Sequence, residues 1–467
     1  MNFRFLILVL ILLCPVSAHA EERTLEFGRF GKVALYQSAP QPSQVVLFVS
    51  GDGGWNLGVV DMARELASLD ALVVGIDITR YLKSLRNSNK ACSYPAADFE
   101  ALSKYIQKKL NFPRYKVPIM VGYSSGATLV YAILAQAPPN TFAGAISMGF
   151  CPDLPLNKPL CKGYGLEWKP GPKGKGFYFL PFNHHPLPWI ALQGTIDQVC
   201  DPVSTESYVK KVMGGNIVML PKVGHGFSVT RNWMPQFKDA FLNLVSRYKS
   251  SISSDSISPL LNDLPLVEVA RKGTGSDTLA LIISGDGGWT SIDRDIAGAQ
   301  SLKGLDVVGL NSLQYFWTRR TPEEASRDLD RVLRHYLVQW KKERVILIGY
   351  SFGADVLPFM VNRLSPSIRD RVSLIVLMGL DEKIDFEFHL TNWLPGYANS
   401  NSLPVLPEVK RLKGMLCLQG SKENDSLCRK LDSSLAKSIV LQGGHHFDGN
   451  YETISDIIVK ELGALKQ

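Results

Sequence analysis

The sequence lacks the patterns that indicate metal centres, nucleic-acid binding or membrane spans. It has 8 His and 7 Cys but no His-Glu-x-x-His pair and no Cys-x-x-Cys cluster, so neither a metal nor another cofactor is indicated. Zinc-finger and RNP-type patterns are missing, and nothing points to nucleic acid. The apolar run Phe5–Leu13 is soon followed by Pro15 and is too short to cross a bilayer.

The rest of the composition is that of a globular protein. The 467 residues are 45% hydrophobic and 20% charged, which suits two ordinary domains. The first twenty residues differ, because Arg4 precedes the apolar run and Ala18-His19-Ala20 precedes Glu21. This pattern predicts a Sec-type signal peptide that is cleaved after Ala20.

Cleavage would remove Arg4, which lowers the formal net charge from +8 to +7, and Cys14, which leaves six cysteines. An even cysteine count favours an oxidising compartment, which in bacterial export is the periplasm. The positive charge is compatible with peripheral association with an anionic membrane surface.

The chain contains an internal repeat. Val46–Trp55 matches Ala280–Trp289, and both segments end in Ser-Gly-Asp-Gly-Gly-Trp. So long a period excludes a solenoid and indicates a duplicated domain. A Ser-rich segment lies between the copies. We predict an N-terminal domain over residues 21–249, a linker over 250–261 and a C-terminal domain over 262–467.

Each copy contains a Gly-x-Ser-x-Gly motif, Gly122–Gly126 and Gly349–Gly353, between an apolar strand and a helix-like segment. The glycines allow the sharp turn that exposes the nucleophilic Oγ in α/β-hydrolases. The apolar runs alternate with amphipathic segments, which is typical of a mostly parallel sheet flanked by helices. We therefore predict two tandem α/β-hydrolase domains. The predicted strands are Val45–Ser50, Ile119–Gly122, Ala145–Gly149, Trp189–Gly194, Ile217–Leu220, Leu279–Ser284, Val345–Gly349, Leu374–Gly379, Met415–Gly420 and Ile439–Leu441.

A serine needs a base to take its proton and a carboxylate to orient that base. In the first half, Ser124, Asp197 and His225 follow one another in the chain order expected for this fold. All three lie just past predicted strands, at the edge where open α/β sheets place their sites.

In the second half, the predicted catalytic set is Ser351, Asp425 and His445. Glu423 is an alternative acid, because it lies three residues after the strand glycine, as the first-half acid does. The four residues that begin at Asp425 align with those that begin at the first-half acid, which favours Asp425. His446 is an alternative base, but alignment of the two histidine loops favours His445.

The twin Ser-Gly-Asp-Gly-Gly-Trp turns lie where this fold builds an oxyanion hole, and each N–H donor there contributes about 3–4 kcal/mol. A phosphate loop is disfavoured, because Gly-Lys-Ser/Thr is absent from both turns. Asp52 and Asp286 could also meet a cationic group of a substrate, although an aspartate in a turn is more often a cap. The predicted donors are Gly51, Asp52, Ser125, Gly285, Asp286 and Phe352.

The cysteines suggest disulfides near the predicted acids. Cys417 and Cys428 would close a small loop around the second-half acid, so we predict that they pair. The first half has no equivalent of Cys417. Three partners therefore stay open for Cys200, namely Cys92, Cys151 and Cys161.

These residues resemble the bacterial AcvB/VirJ virulence-protein family over essentially the whole mature chain. The first half is similar to a more divergent copy. The most specific stretches lie in the second half and are Ser284–Trp289, Asn311–Trp317, Arg320–Pro322, Gly349–Asp355, Phe386–Leu390 and Asp425–Cys428.

The resemblance implies a periplasmic serine hydrolase that cleaves lysyl- or alanyl-phosphatidylglycerol at the outer face of the inner membrane, without a cofactor. It also implies a link to virulence or secretion machinery. The alternatives are a generic carboxylesterase or thioesterase, and a non-catalytic binding or scaffold protein. Because the family-specific stretches cluster in the second half, the Ser351 set is the preferred active site.

Overall fold

The computed structural model describes residues 21–87, 89–252, 258–388 and 402–464. The predicted signal peptide, part of the predicted linker and the end of the Phe386–Leu390 stretch lie outside the described residues.

The first half is built on an eight-stranded sheet. Its strand order is β1-β2-β4-β3-β5-β6-β10-β11, in which all neighbours from β4 to β11 are parallel and β1 and β2 form an antiparallel edge. Three short strands, β7 to β9, form a separate small sheet. The strands are β1 (Glu21–Phe27), β2 (Gly31–Gln37), β3 (Gln44–Val49), β4 (Ala71–Ile76), β5 (Ile119–Tyr123), β6 (Gly144–Met148), β7 (Asp153–Leu154), β8 (Trp168–Pro170), β9 (Phe177–Phe179), β10 (Trp189–Gly194) and β11 (Gly215–Leu220).

The second half repeats this plan with seven strands in the order β12-β14-β13-β15-β16-β19-β20, and β12 is its antiparallel edge. A two-stranded sheet, β17 with β18, takes the place of the three-stranded one. The strands are β12 (Leu266–Val269), β13 (Thr278–Ile283), β14 (Asp306–Leu310), β15 (Arg344–Tyr350), β16 (Val372–Met378), β17 (Lys383–Ile384), β18 (Leu403–Pro404), β19 (Met415–Gly420) and β20 (Ala436–Leu441).

Helices cover both faces of each sheet, and each half has a buried apolar cluster on either side of its sheet. None of the described helices is long and apolar enough to span a membrane. The helices are α1 (Leu57–Ala67), α2 (Ile78–Arg86), α3 (Pro95–Lys109), α4 (Ser125–Gln136), α5 (Pro202–Val209), α6 (Met234–Ile252), α7 (Ser291–Leu302), α8 (Ser312–Tyr315), α9 (Pro322–Gln339), α10 (Phe352–Val361), α11 (Pro366–Arg369), α12 (Leu406–Val409) and α13 (Tyr451–Ala464).

The predicted fold is confirmed, and every predicted strand overlaps an observed one. The antiparallel edge strands β1, β2 and β12 were not predicted, because they have no counterpart in the repeat pattern that led to the other strands. The predicted linker begins too early, since α6 continues to Ile252. Serine lowers helix propensity only slightly, so Ser250 and Ser251 do not end this helix.

The two halves are joined by a contact between α3 and the segment after α8. The Nζ of Lys108 lies 4.9 Å from the ring centroid of Trp317, bonds the Trp317 carbonyl and lies 3.2 Å from Glu387 Oε1. In return, the Trp317 indole N–H donates to the Phe112 carbonyl at 2.7 Å. Tyr115 of the first half packs within the apolar core of the second. Trp317 and Glu387, which belong to the family-specific stretches of the second half, thus contact the first half.

We predict that Lys108→Met lowers the free energy of unfolding by about 2 kcal/mol, because it leaves a part-buried Glu387 carboxylate without its cation. Lys109→Met is the matched control, since Lys109 is exposed and lies over Tyr105 within the first half. Urea unfolding followed by tryptophan fluorescence measures both. Equal stability of the two variants would contradict a stabilising contact between the halves.

Candidate active site

Both predicted serines lie in the strained turn between a strand and a helix. Ser124 joins β5 to α4 with φ +56°, and Ser351 joins β15 to α10 with φ +51°. Residues other than glycine rarely adopt these backbone angles, and such backbone strain is concentrated at functional sites. The flanking glycines are needed for space. A Cβ on Gly122 would lie 2.2 Å from the Gly126 carbonyl oxygen, and one on Gly126 would lie 2.4 Å from that of Val49.

The first half holds a complete serine, histidine and aspartate arrangement. Ser124 Oγ lies 2.9 Å from His225 Nε2, and His225 Nδ1 lies 2.9 Å from Asp197 Oδ2. The Asp197 side chain is fully buried, and its Oδ1 accepts the N–H groups of Val199 and Cys200 at 2.8 and 2.9 Å. These hydrogen bonds fix the carboxylate, which in turn orients the imidazole for accepting a proton from the serine.

The second half pairs His445 with Glu423. His445 Nδ1 lies 2.5 Å from Glu423 Oε1, whose second oxygen accepts the Gly420 N–H at 2.6 Å. The prediction of Asp425 as the orienting acid is wrong, because Asp425 is exposed two residues further on and makes no recorded bond to His445. The longer glutamate side chain reaches the ring from the position that Asp197 occupies after its own strand.

The second site is the more open of the two. The His445 side chain is 40% exposed, against 17% for His225. No hydrogen bond between Ser351 Oγ and His445 is recorded within the described part of the chain, whereas the Ser124 pair is formed. Catalytic hydrogen bonds of free enzymes often shorten only when substrate binds. The sequence pointed to the second half as the preferred site, while the assembled geometry is in the first.

The histidine loops are held by glycines and tyrosines that the sequence motifs did not indicate. Gly149 and Gly379 both have positive φ, and a Cβ there would lie 3.2 Å from the His225 ring and 2.6 Å from the His445 ring. The elbow tyrosines, Tyr123 and Tyr350, donate their hydroxyls to the carbonyls of His225 and His445 at 3.0 and 3.3 Å. These strand-end glycines and elbow tyrosines recur in both halves and could have been read from the repeat.

His446 does not take the catalytic position. Its Nδ1 lies 3.0 Å from the Tyr350 hydroxyl, and burial lowers its pKa. His446 therefore supports the elbow tyrosine, while its neighbour faces the acid.

The predicted oxyanion turns lie against the serines. A Cβ on Gly51 would lie 3.0 Å from the Ser124 Cβ, and one on Gly285 would lie 3.5 Å from the Ser351 Cβ. None of the six predicted amides, those of Gly51, Asp52, Ser125, Gly285, Asp286 and Phe352, has a hydrogen-bond acceptor within the described residues. In each half an amide of the turn and the amide after the serine are therefore available to an incoming oxyanion.

Gly285 has a further contact that the sequence did not show. Its N–H acts on the carboxyl of Asp293 and partly offsets the effect of burial, which raises the Asp293 pKa to about 7. Asp293 is 1% exposed, and its Oδ1 has no hydrogen-bond partner among the residues that the structure describes. The Thr290 N–H donates to Asp293 Oδ2 at 3.3 Å, so this buried acid lies directly after the oxyanion turn of the second half.

The six cysteines of the described residues form three disulfides. Cys417 pairs with Cys428, as predicted, and Cys92 pairs with Cys161. Cys151 is the partner of Cys200. Because Cys200 also donates its N–H to Asp197, this bond ties the loop of the acid to the end of β6.

The one group of potential metal ligands in the described residues does not suit a metal ion. Donor atoms of Asp197, Cys200 and His225 lie within 4.8 Å of one another in the described chain. The Cys200 sulfur is bound in a disulfide and His225 Nδ1 faces Asp197, so neither is a free ligand.

We predict that Glu423→Gln lowers hydrolysis of a neutral ester by the second site about 10³- to 10⁴-fold, because the histidine loses the carboxylate that stabilises its protonated form. Asp425→Asn is the matched control and should change the rate less than threefold. Both are measured as kcat/KM in a Ser124→Ala background. The reverse order of the two effects would restore Asp425 as the acid.

We also predict a pH-dependent stability that comes from Asp293. Its folded pKa of about 7 lies above the ordinary aspartate pKa of 3.8, so its stabilising contribution is complete below pH 3.8 and is lost as the pH rises towards 7. At about 1.4 kcal/mol for each pKa unit, the loss approaches 4 kcal/mol. Asp293→Asn should remove this slope in urea unfolding measured from pH 4 to 8. An identical slope in both proteins would show that the acid titrates normally.

Comparison with known proteins places these sites in a family. A family model described as bacterial virulence protein (VirJ) matches residues 43–148 and 277–465, which is more than half of the chain. The matches include the elbow serines and the oxyanion turns of both halves. No curated protein matches the chain.

Solved structures resemble the chain over about half its length. A Xanthomonas campestris serine hydrolase without a lid has 21% identity and a TM-score of 0.31, covering 49% of this chain and 95% of its own. The esterase Est1E of Butyrivibrio proteoclasticus has 12% identity and a TM-score of 0.32, covering 48% and 99%. The thermophilic esterase Est2 of Thermogutta terrifontis has 16% identity and a TM-score of 0.33, covering 52% and 98%.

With its twin elbows and a family match that spans both halves, the chain belongs to the bacterial virulence protein (VirJ) family.

Proposed function

We propose that the protein is a periplasmic serine hydrolase that cleaves the aminoacyl ester of aminoacylated phosphatidylglycerol. The reaction consumes water and yields the free amino acid and phosphatidylglycerol. The observation that carries this proposal is the assembled geometry of Ser124, His225 and Asp197. The second half repeats its base and acid as the pair His445 and Glu423.

The proton path follows from the first-half distances. His225 Nε2 takes the proton of Ser124 Oγ while that oxygen attacks the ester carbonyl, and the developing oxyanion accepts from the Asp52 and Ser125 amides. Collapse breaks the ester bond, and His225 returns the proton to the glycerol oxygen of the departing lipid. Water, deprotonated by the same histidine, then attacks the aminoacyl-serine. The bond to Ser124 Oγ breaks, His225 returns the proton to that oxygen, and the amino acid is released.

Features of the surface support a lipid substrate at a membrane. Four exposed apolar side chains lie in or just after the loops of Asp197 and His225, and such groups favour contact with acyl chains. The net charge of +8 favours an anionic bilayer, and three disulfides favour the periplasm. We place the substrate at the outer face of the inner membrane, where virulence or secretion machinery is a candidate partner. The four residues are Ile196, Val199, Val203 and Val229.

We predict that a fluorophosphonate probe labels the protein, that Ser124→Ala and Ser351→Ala each remove part of the labelling, and that the double variant is not labelled. Release of amino acid from lysyl- or alanyl-phosphatidylglycerol vesicles, followed by mass spectrometry, should fall at least 10⁴-fold in the double variant, because the nucleophiles are lost. The activity that remains in each single variant then gives the contribution of the other half to hydrolysis.

Ser125→Ala is the matched control, because it removes a neighbouring hydroxyl and keeps the backbone amide. Labelling that survives the double variant would overturn the nucleophile assignment. Hydrolysis of p-nitrophenyl butyrate without release of amino acid from the lipid would show a generic esterase. A protein that is neither labelled nor active would be a binding or scaffold protein.

A further inference from the structure

The two sites differ at one position beside the nucleophile. Thr128 and Asp355 each lie four residues after their serine, on the first turn of α4 and α10. The Thr128 hydroxyl donates to the Cys151 carbonyl at 2.6 Å and is thereby satisfied. Asp355 instead places a carboxyl group in the second site.

Asp355 is buried, yet only one of its oxygens is bonded. The residue is 5% exposed, and Oδ1 accepts the Asp381 N–H at 2.7 Å. Oδ2 has no recorded partner in the described chain, but it is not enclosed by protein atoms as Asp293 Oδ1 is. Oδ2 is therefore in contact with solvent and accepts no hydrogen bond from the described residues.

Two further acids of the second half act on Asp355. Asp286 on the oxyanion turn and Asp381 after β16 are exposed, and both act electrostatically on Asp355. Burial and then these neighbours raise the pKa of Asp355, and loss of hydration and then Asp425 raise that of Asp381. In the first half, Cys151 holds the position of Asp381 and is closed off in its disulfide. The acidic opening is thus a property of the second site.

An aminoacyl ester carries a positively charged group next to its reacting carbonyl. Its α-ammonium is carried by the carbon next to the carbonyl that Ser351 would attack. The Asp355 N–H donates to the Ser351 carbonyl at 3.1 Å, so the carboxyl at position 355 lies one helical turn from the nucleophile and within reach of that ammonium. A bound ammonium would give Oδ2 its missing donor and relieve the repulsion among the acids.

We propose that Asp355, assisted by Asp286 and Asp381, binds the ammonium group of the aminoacyl moiety, so that the second site selects cationic acyl groups over neutral ones. This assignment rests on the proposed function, since it names the part of the substrate that the site recognises. The first site, with Thr128, has no such selection.

The first test is binding, which does not depend on turnover. The Ser124→Ala/Ser351→Ala protein is titrated with alanine amide and with uncharged N-acetylalanine amide, followed by ligand-observed NMR. We expect the cation to bind at least tenfold more tightly, and Asp355→Asn and Asp355→Thr to abolish the preference. Asp370→Asn, an exposed acid after α11, is the control and should leave it unchanged. Equal binding of both amides, or an unchanged preference in the Asp355 variants, overturns the proposal.

The second test is kinetic and uses the p-nitrophenyl esters of alanine and of N-acetylalanine in the Ser124→Ala protein. We expect Asp355→Asn to lower kcat/KM for the charged ester at least tenfold and to leave the neutral ester within threefold. An equal loss on both esters would show a purely structural role. If Asp355→Asn fails to fold, Asp381→Asn should reduce the preference in the same direction, and no reduction there overturns the proposal. Failure of the proposed function differs, since the lipid ester would then be inert while the amide titration still reports on Asp355.

Discussion

The structure depends on a serine held at positive φ at the end of a central strand. The flanking glycines make this strained turn possible, because they let the helix return close to the sheet. A Cβ on any of these glycines would lie too close to a backbone carbonyl oxygen. The same closeness brings the oxyanion turn against the serine and leaves the predicted donor amides without acceptors among the described residues. Every other part of each site is placed relative to this turn, since the histidine and acid loops leave neighbouring strands at the same edge of the sheet.

Duplication has kept that frame and changed what surrounds it. In the first half, a buried aspartate with three hydrogen-bond donors, one of them the Gln193 amide, orients a largely covered histidine, and a disulfide fixes the acid loop. In the second, a glutamate reaches a more exposed histidine, and carboxyl groups border the opening. In the first site the serine and histidine are already hydrogen-bonded for proton transfer. The second site has additional carboxyl groups that could recognise a substrate.

The two halves are also physically joined. Lys108 and Phe112 of the first half hold Trp317, which adjoins Phe316, and Phe316 packs 5.0 Å from Phe352 beside the second nucleophile. Phe388 stacks on the same Phe352 at 4.6 Å. The first half therefore supports the aromatic lining of the second site in addition to carrying a triad of its own.

The sequence by itself determined the duplication, the parallel sheets, both elbows, the histidines and the Cys417–Cys428 disulfide, because these depend on local periodicity and on matches between the copies. It did not determine the second acid. Alignment favoured Asp425, whereas side-chain reach selected Glu423, since the distance from a strand end to an imidazole is set only in three dimensions. The partner of Cys200, the buried Asp293 and the half-satisfied Asp355 were likewise decided by tertiary structure, because pairing, burial and loss of hydration arise only when distant segments pack together.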